Sequence, residues 1–161
     1  AAVLVLSTFT LLLVFGVIML YPNLPDQVPA HYDVNGIPTR FEDRAAFARN
    51  LLGIGLGLPM FLCTLIYCLR YLPPKFLNVP NAEYWRAPEN YRRACDYLFT
   101  SSLWLACGLL IWSLALWRIM VSAALRTPPS LGSGTVTGLA LAMVAMVGAW
   151  IAVIFRRFSK I

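Results

Sequence analysis

The chain has 161 residues, 60% of them apolar and 12% charged, with a mean hydropathy of +0.71 and a net charge of +6. An average soluble domain carries about twice that share of charge, so composition excludes an ordinary water-soluble domain and points to an integral membrane protein. In such a chain a basic excess speaks of topology before nucleic acid, and no nucleic-acid partner is expected.

Four stretches reach the roughly 20 apolar residues that a helix needs to cross the hydrocarbon core. They lie at about 1–21, 50–71, 97–117 and 135–155. They predict an all-α membrane protein, one four-helix domain over residues 1–161, with a short outward β-hairpin or structured loop after the first helix. The first stretch lacks a basic n-region and is too long for a signal-peptide h-region, so a retained helix is expected. It ends at Tyr21-Pro22, an aromatic anchor followed by a breaker.

The polar segment LPDQVPAHYDVNGIPTRF, residues 24–41, comes next and holds the single histidine, His31. Asn35-Gly36 is the strongest short-range hairpin signal. With that pair as a two-residue turn, Tyr32 faces Thr39 and His31 faces Arg40. Side chains alternate along a strand, so Val28, Ala30, Tyr32 and Val34 share one face, while His31, Asp33 and Arg40 share the other. Asp26 joins them if the chain turns back. Asp26, His31, Asp33 and Arg40 are therefore the candidate ligand-binding set; the alternative is that these groups only bond the hairpin to itself or to lipid headgroups. One histidine with one or two carboxylates falls short of the three or four protein ligands of a zinc site, so neither a metal nor a cofactor is expected. The following FEDRAAFARN has helical apolar spacing and predicts a short amphipathic helix at the interface.

In the second span, Gly53 and Gly57 make a small-xxx-small pair suited to close helix packing. Pro59 predicts a kink or a new turn; a broken-helix ion site is the alternative, with no carboxylate near it. In the middle loop, Asn81 suits a helix cap and Pro88 a helix start. Glu89 is spaced to pair with Arg92 or Arg93, and Tyr84 and Trp85 suit the headgroup level. The last span has a small-residue stripe, Gly138, Ala142, Ala145, Ala149 and Ala152, which predicts a face packed on another helix. Cys63, Cys68, Cys95 and Cys107 form no CxxC pair and read as small packing residues rather than disulfide or zinc partners.

Elimination narrows the function. One histidine outside the spans cannot build a bis-His haem. Spans without acidic residues lack the parts of a proton relay. No P-loop, GxGxxG, HExxH or GxSxG motif occurs. Arg70, Lys75, Arg86, Arg92, Arg93, Arg156, Arg157 and Lys160 lie on one side of a four-span chain. Arg40, Arg44, Arg49, Arg118 and Arg126 lie on the other. The richer side is expected in the cytoplasm with both termini, and the His31 loop faces outward.

Tyr21 to Phe41, with Leu24-Pro25, Pro29-Ala30-His31, Gly36 and Arg40-Phe41, resembles the bacterial membrane domain of unknown function at the start of SdpI-like immunity proteins. NVPNAEYWRAPE is similar to a segment of stand-alone members. The resemblance implies a bacterial inner-membrane protein with an outward motif loop, and implies no reaction. The expected role is non-catalytic: a binding protein or accessory subunit whose partners are the bilayer and another membrane protein. The alternatives are an immunity or toxin-sensing protein, and a metal- or acid–base-dependent envelope enzyme using His31 and Asp33.

Overall fold

The computed structural model describes residues 2–132 and 134–160. In chain order the elements are α1 (Ala2–Leu20), β1 (Gln27–Tyr32), β2 (Pro38–Asp43), α2 (Arg44–Cys68), α3 (Ala82–Arg86), α4 (Pro88–Ala124) and α5 (Thr135–Phe158). Four of these helices are long and apolar enough to cross a membrane, beginning at Ala2, Arg44, Pro88 and Thr135. The protein is polytopic, with a two-stranded antiparallel hairpin between the first two spans.

The central element is α4, 37 residues long, about 55 Å at 1.5 Å per residue. That exceeds the roughly 30 Å hydrocarbon core. The predicted turn at Pro88 and the third span are one helix, with Pro88 in its first turn, where its missing N–H breaks no intrahelical bond. Helices α1 and α2 pack extensively on α4, and α5 packs on it less extensively. Glu89 forms no ion pair with Arg92 or Arg93 among the described residues. Asn81 precedes α3 with φ 54°, but its amide donates to the Phe158 carbonyl at 3.1 Å instead of capping. Trp85 is buried and donates to the same carbonyl at 3.1 Å, so the far end of α5 is pinned to the middle loop. Tyr84 stays exposed.

The residues of both small-residue seams, Gly53, Gly57, Gly138, Ala142, Ala145 and Ala149, are exposed, and a Cβ added at Gly53, Gly57 or Gly138 meets nothing within 4 Å. In α2 the contact seam is Gly55, Pro59 and Cys63, all buried and spaced by four. A Cβ on Gly55 would sit 3.1 Å from Leu13 and 3.3 Å from Ser113. Adjacent glycines two apart point to nearly opposite helix faces, so the Gly-x-Gly-x-Gly run offers two seams and the bundle uses the middle one. In α5 the contact is made by large side chains. Met146 lies where a Cβ on Gly108 would meet its sulfur at 2.7 Å, so α4 supplies the hole and α5 the knob. Trp112 donates to the Leu139 carbonyl and Trp150 to the Ser101 carbonyl, each at 3.1 Å, tying the two helices across their length. Helix α2 runs unbroken through Pro59, as transmembrane helices tolerate where neighbours re-satisfy the backbone.

No amphipathic helix stands apart over 41–50. Phe41 and Glu42 belong to β2, and Asp43 caps α2 directly, accepting from the Ala46 N–H at 2.8 Å. The side chain of Asp43 satisfies an orphan donor of the first turn, so strand passes into helix without an intervening loop.

Candidate functional site: a groove beneath the hairpin

The hairpin folds around Asp33. Its backbone carbonyl accepts from Gly36 N–H at 3.0 Å, and its N–H donates to the Ile37 carbonyl at 2.9 Å. One carboxylate oxygen accepts from the N–H groups of Asn35 and Ile37 at 2.9 and 2.8 Å. Only Gly36 takes positive φ, 81°, while Asn35 does not. The turn is thus the three-residue form, a type I turn followed by a left-handed glycine, and not the two-residue form that Asn-Gly alone suggests. An aspartate at the first turn position bonds its own turn and selects that form.

His31 still faces Arg40, but Tyr32 pairs with Pro38, because irregularities flank His31. Pro29 has no N–H to give to the ladder, and an extra residue on each arm follows. The simple alternation fails accordingly. Val28, Pro29 and Tyr32 are buried, while Val34 and Ile37 stand 71% and 59% exposed at the tip. The buried residues pack on the end of α4 with Phe47, which stacks on Trp117 at 5.6 Å and 25°.

The four candidate site residues do not converge. Asp33 is consumed by the turn. Asp26 faces Arg44 at 3.8 Å. Arg40 pairs with Glu42, which also accepts from the Asn50 amide at 3.0 Å. Among the described residues no three His, Cys, Asp or Glu side chains gather. His31 and Arg40 do come together on the rim of a cavity of about 810 Å³, with Tyr32, Glu42, Arg49 and Asn50. Its walls are apolar: Gly53 and Ile54 of α2, Trp112 and Leu116 of α4, Leu139 and Met143 of α5. The volume is within the range of small-molecule pockets, and so is the pattern of apolar walls with a few polar groups at one end.

Three rim groups have no partner among the described residues. Arg49 makes no ion pair or hydrogen bond, and neither does the His31 ring; both are exposed. The Tyr32 hydroxyl is buried and unbonded, on a side chain 7% exposed. Burial pushes that phenol above its usual range, with the Arg126 guanidinium opposing, so it remains a donor at neutral pH. Arg49, Asn50 and Tyr32 lie outside the sequence-derived set. The helical spacing of Arg49 to Gly53 was the available signal, since it puts a cation one turn above an open glycine on the same face.

A family described as "Domain of unknown function (DUF1648)" matches residues 8–54. The match is less than a third of the chain and includes most of α1, the hairpin and the start of α2, hence every rim residue named above. It brings no activity with it. Comparison with curated proteins and with solved structures returned no match.

Proposed function

We propose that the protein is a non-catalytic binding module of the bacterial inner membrane, which takes an amphipathic envelope ligand sideways from the bilayer into the groove between α2, α4 and α5. The observation that carries this reading is the joining of an apolar cavity, walled by three candidate spans, to a rim of unpartnered donors. A binding role is favoured over an acid–base one because Asp33 bonds its own turn, Asp26 faces Arg44 and the rim carboxylate Glu42 pairs with Arg40, so none of them bonds the His31 ring. The orientation puts the hairpin outside and both termini in the cytoplasm, since the end opposite the hairpin holds eight of the thirteen basic residues. A role in toxin immunity of the SdpI type would use the same outward groove for its ligand.

Gly53→Phe tests the groove. Nothing lies within 4 Å of a Cβ at Gly53, and Gly53 lines the cavity, so a side chain there enters the groove. Native mass spectrometry of gently extracted protein should show a retained amphiphile on the wild type and none on the variant. Equal retention by both would refute the reading.

A second reading is an accessory subunit of a larger membrane complex, and the outer face of α5 favours it. None of the apolar window of that span is buried in the chain, and Gly138, Ala142 and Ala145 are exposed along it. Cysteine cross-linking at Ala145 should then trap a second polypeptide; trapping of lipid-phase reagent alone would reject it.

A further inference from the structure

The groove's dimensions and its rim identify the class of amphiphile. Along α4 the lining runs from Met120 to Trp112, and along α5 from Val136 to Met143. These ends are eight and seven residue steps apart, about 12 and 10 Å of helix. Half a hydrocarbon core is roughly 15 Å, so the apolar part spans most of one leaflet and stops short of the midplane. An acyl chain of the hairpin-side leaflet fits it. The rim sits where that lipid's head would lie. There Glu42 neutralises Arg40 and engages Asn50, which leaves Arg49 as an uncompensated positive charge and the Tyr32 hydroxyl as a buried unpartnered donor. A cation and a hydroxyl donor match the oxygens of a phosphodiester, and a net positive rim favours a head without a compensating amine.

We infer that the groove selects a single anionic phospholipid from the hairpin-side leaflet, with Tyr32 and Arg49 as its specificity-determining residues. The inference rests on the groove reading above and adds the chemistry of the head. On binding, the Tyr32 ring turns so that its hydroxyl, enclosed in this structure, donates to a phosphate oxygen; Arg49 supplies the countercharge, and Trp112, Leu139 and Met143 line the chain.

The test is competition on the full chain in detergent micelles. Phosphatidylglycerol and phosphatidylcholine with identical chains are added in equal amounts, and retained lipid is counted by native mass spectrometry. The wild type should keep one phosphatidylglycerol at about a tenfold preference, the ratio that about 1.4 kcal/mol of head-group interaction yields. Tyr32→Phe and Arg49→Gln should each bring the ratio close to one while a lipid is still retained. Tyr32→Phe should melt no lower than the wild type without lipid, because the hydroxyl it removes has no partner to lose; a purely structural hydroxyl would lower melting and leave the ratio alone. Equal retention of both lipids by the wild type overturns the head-group assignment and leaves the groove. A preference that survives Tyr32→Phe removes Tyr32 from it. Retention no greater than that of Gly53→Phe overturns groove and head group together. Displacement of the lipid by free glycerol phosphate at similar concentration would show an anion site with no need of the groove, and would also overturn the proposal.

Discussion

Gly36→Ala is the sharpest perturbation of the hairpin. Gly36 sits at φ 81°, and its carbonyl accepts from the Leu131 N–H at 3.0 Å. This bond clasps the α4–α5 loop to the hairpin tip, and Leu131 itself is buried and lines the groove. A Cβ at position 36 would lie 2.2 Å from the Leu131 carbonyl oxygen and 2.9 Å from its carbon. Those are backbone atoms, so the loop must move as a whole. The left-handed conformation costs a non-glycine residue about 1–2 kcal/mol. Losing the clasp bond adds about 0.5–1.5 kcal/mol, and partial exposure of Leu131 adds about 1 kcal/mol, a fraction of the roughly 1.5–3 kcal/mol for a fully buried leucine. The expected loss is about 2.5–4.5 kcal/mol, read as a fall in melting temperature of the purified protein, with faster hydrogen exchange at the Leu131 amide. Asn35→Ala is the control. Asn35 is not at positive φ, and its side chain makes only a 3.5 Å contact to Asp33, so it should change stability by under about 0.5 kcal/mol. A Gly36→Ala protein that melts like the wild type with Leu131 still protected would refute the clasp.

Asp33→Ala removes a carboxylate that satisfies two backbone donors and should cost about 1–2 kcal/mol, measured by the same melts. Ala145→Leu should leave monomer stability within about 0.5 kcal/mol, because position 145 is exposed; a large loss would put the stripe in a packed seam. Tyr32 has a raised folded pKa, so its contribution is fully present below the unfolded value near about 10 and is lost as pH rises through the higher folded value. Tyr32→Phe should accordingly show a smaller alkaline loss of stability than the wild type, and equal losses would show the phenol is not buried in solution. With Cys68→Ser as background, an impermeant thiol reagent on intact cells should label Asn35→Cys and not Glu83→Cys; the reverse pattern would invert the topology.

Spans, their number and the hairpin are legible in the sequence, because a bilayer demands long apolar helices and Asn35-Gly36 announces a reversal. Helix faces are less legible. Gly53, Gly55 and Gly57 are equally small, and only the positions of Leu13 and Ser113 decide that Gly55 is the contact. The α4–α5 contact is hidden for a related reason: close approach needs one small partner, and Gly108 on α4 provides it for Met146. Site residues are hardest. His31 and Arg40 stand out as rare types and do reach the groove. Asp33 stands out equally, yet its oxygens answer to its own turn. Tyr32 reads as a packing residue, and only the burial of its hydroxyl without a partner marks it as more.

The groove is tested most directly by an experimental structure of the full chain in lipid nanodiscs containing phosphatidylglycerol. Density should run from between Tyr32 and Arg49 down the channel formed by Gly53, Trp112 and Met143, shaped as a phosphate head with at least one acyl chain. A structure in which α5 closes against α2 and side chains fill that space, with no lipid between them, would contradict it.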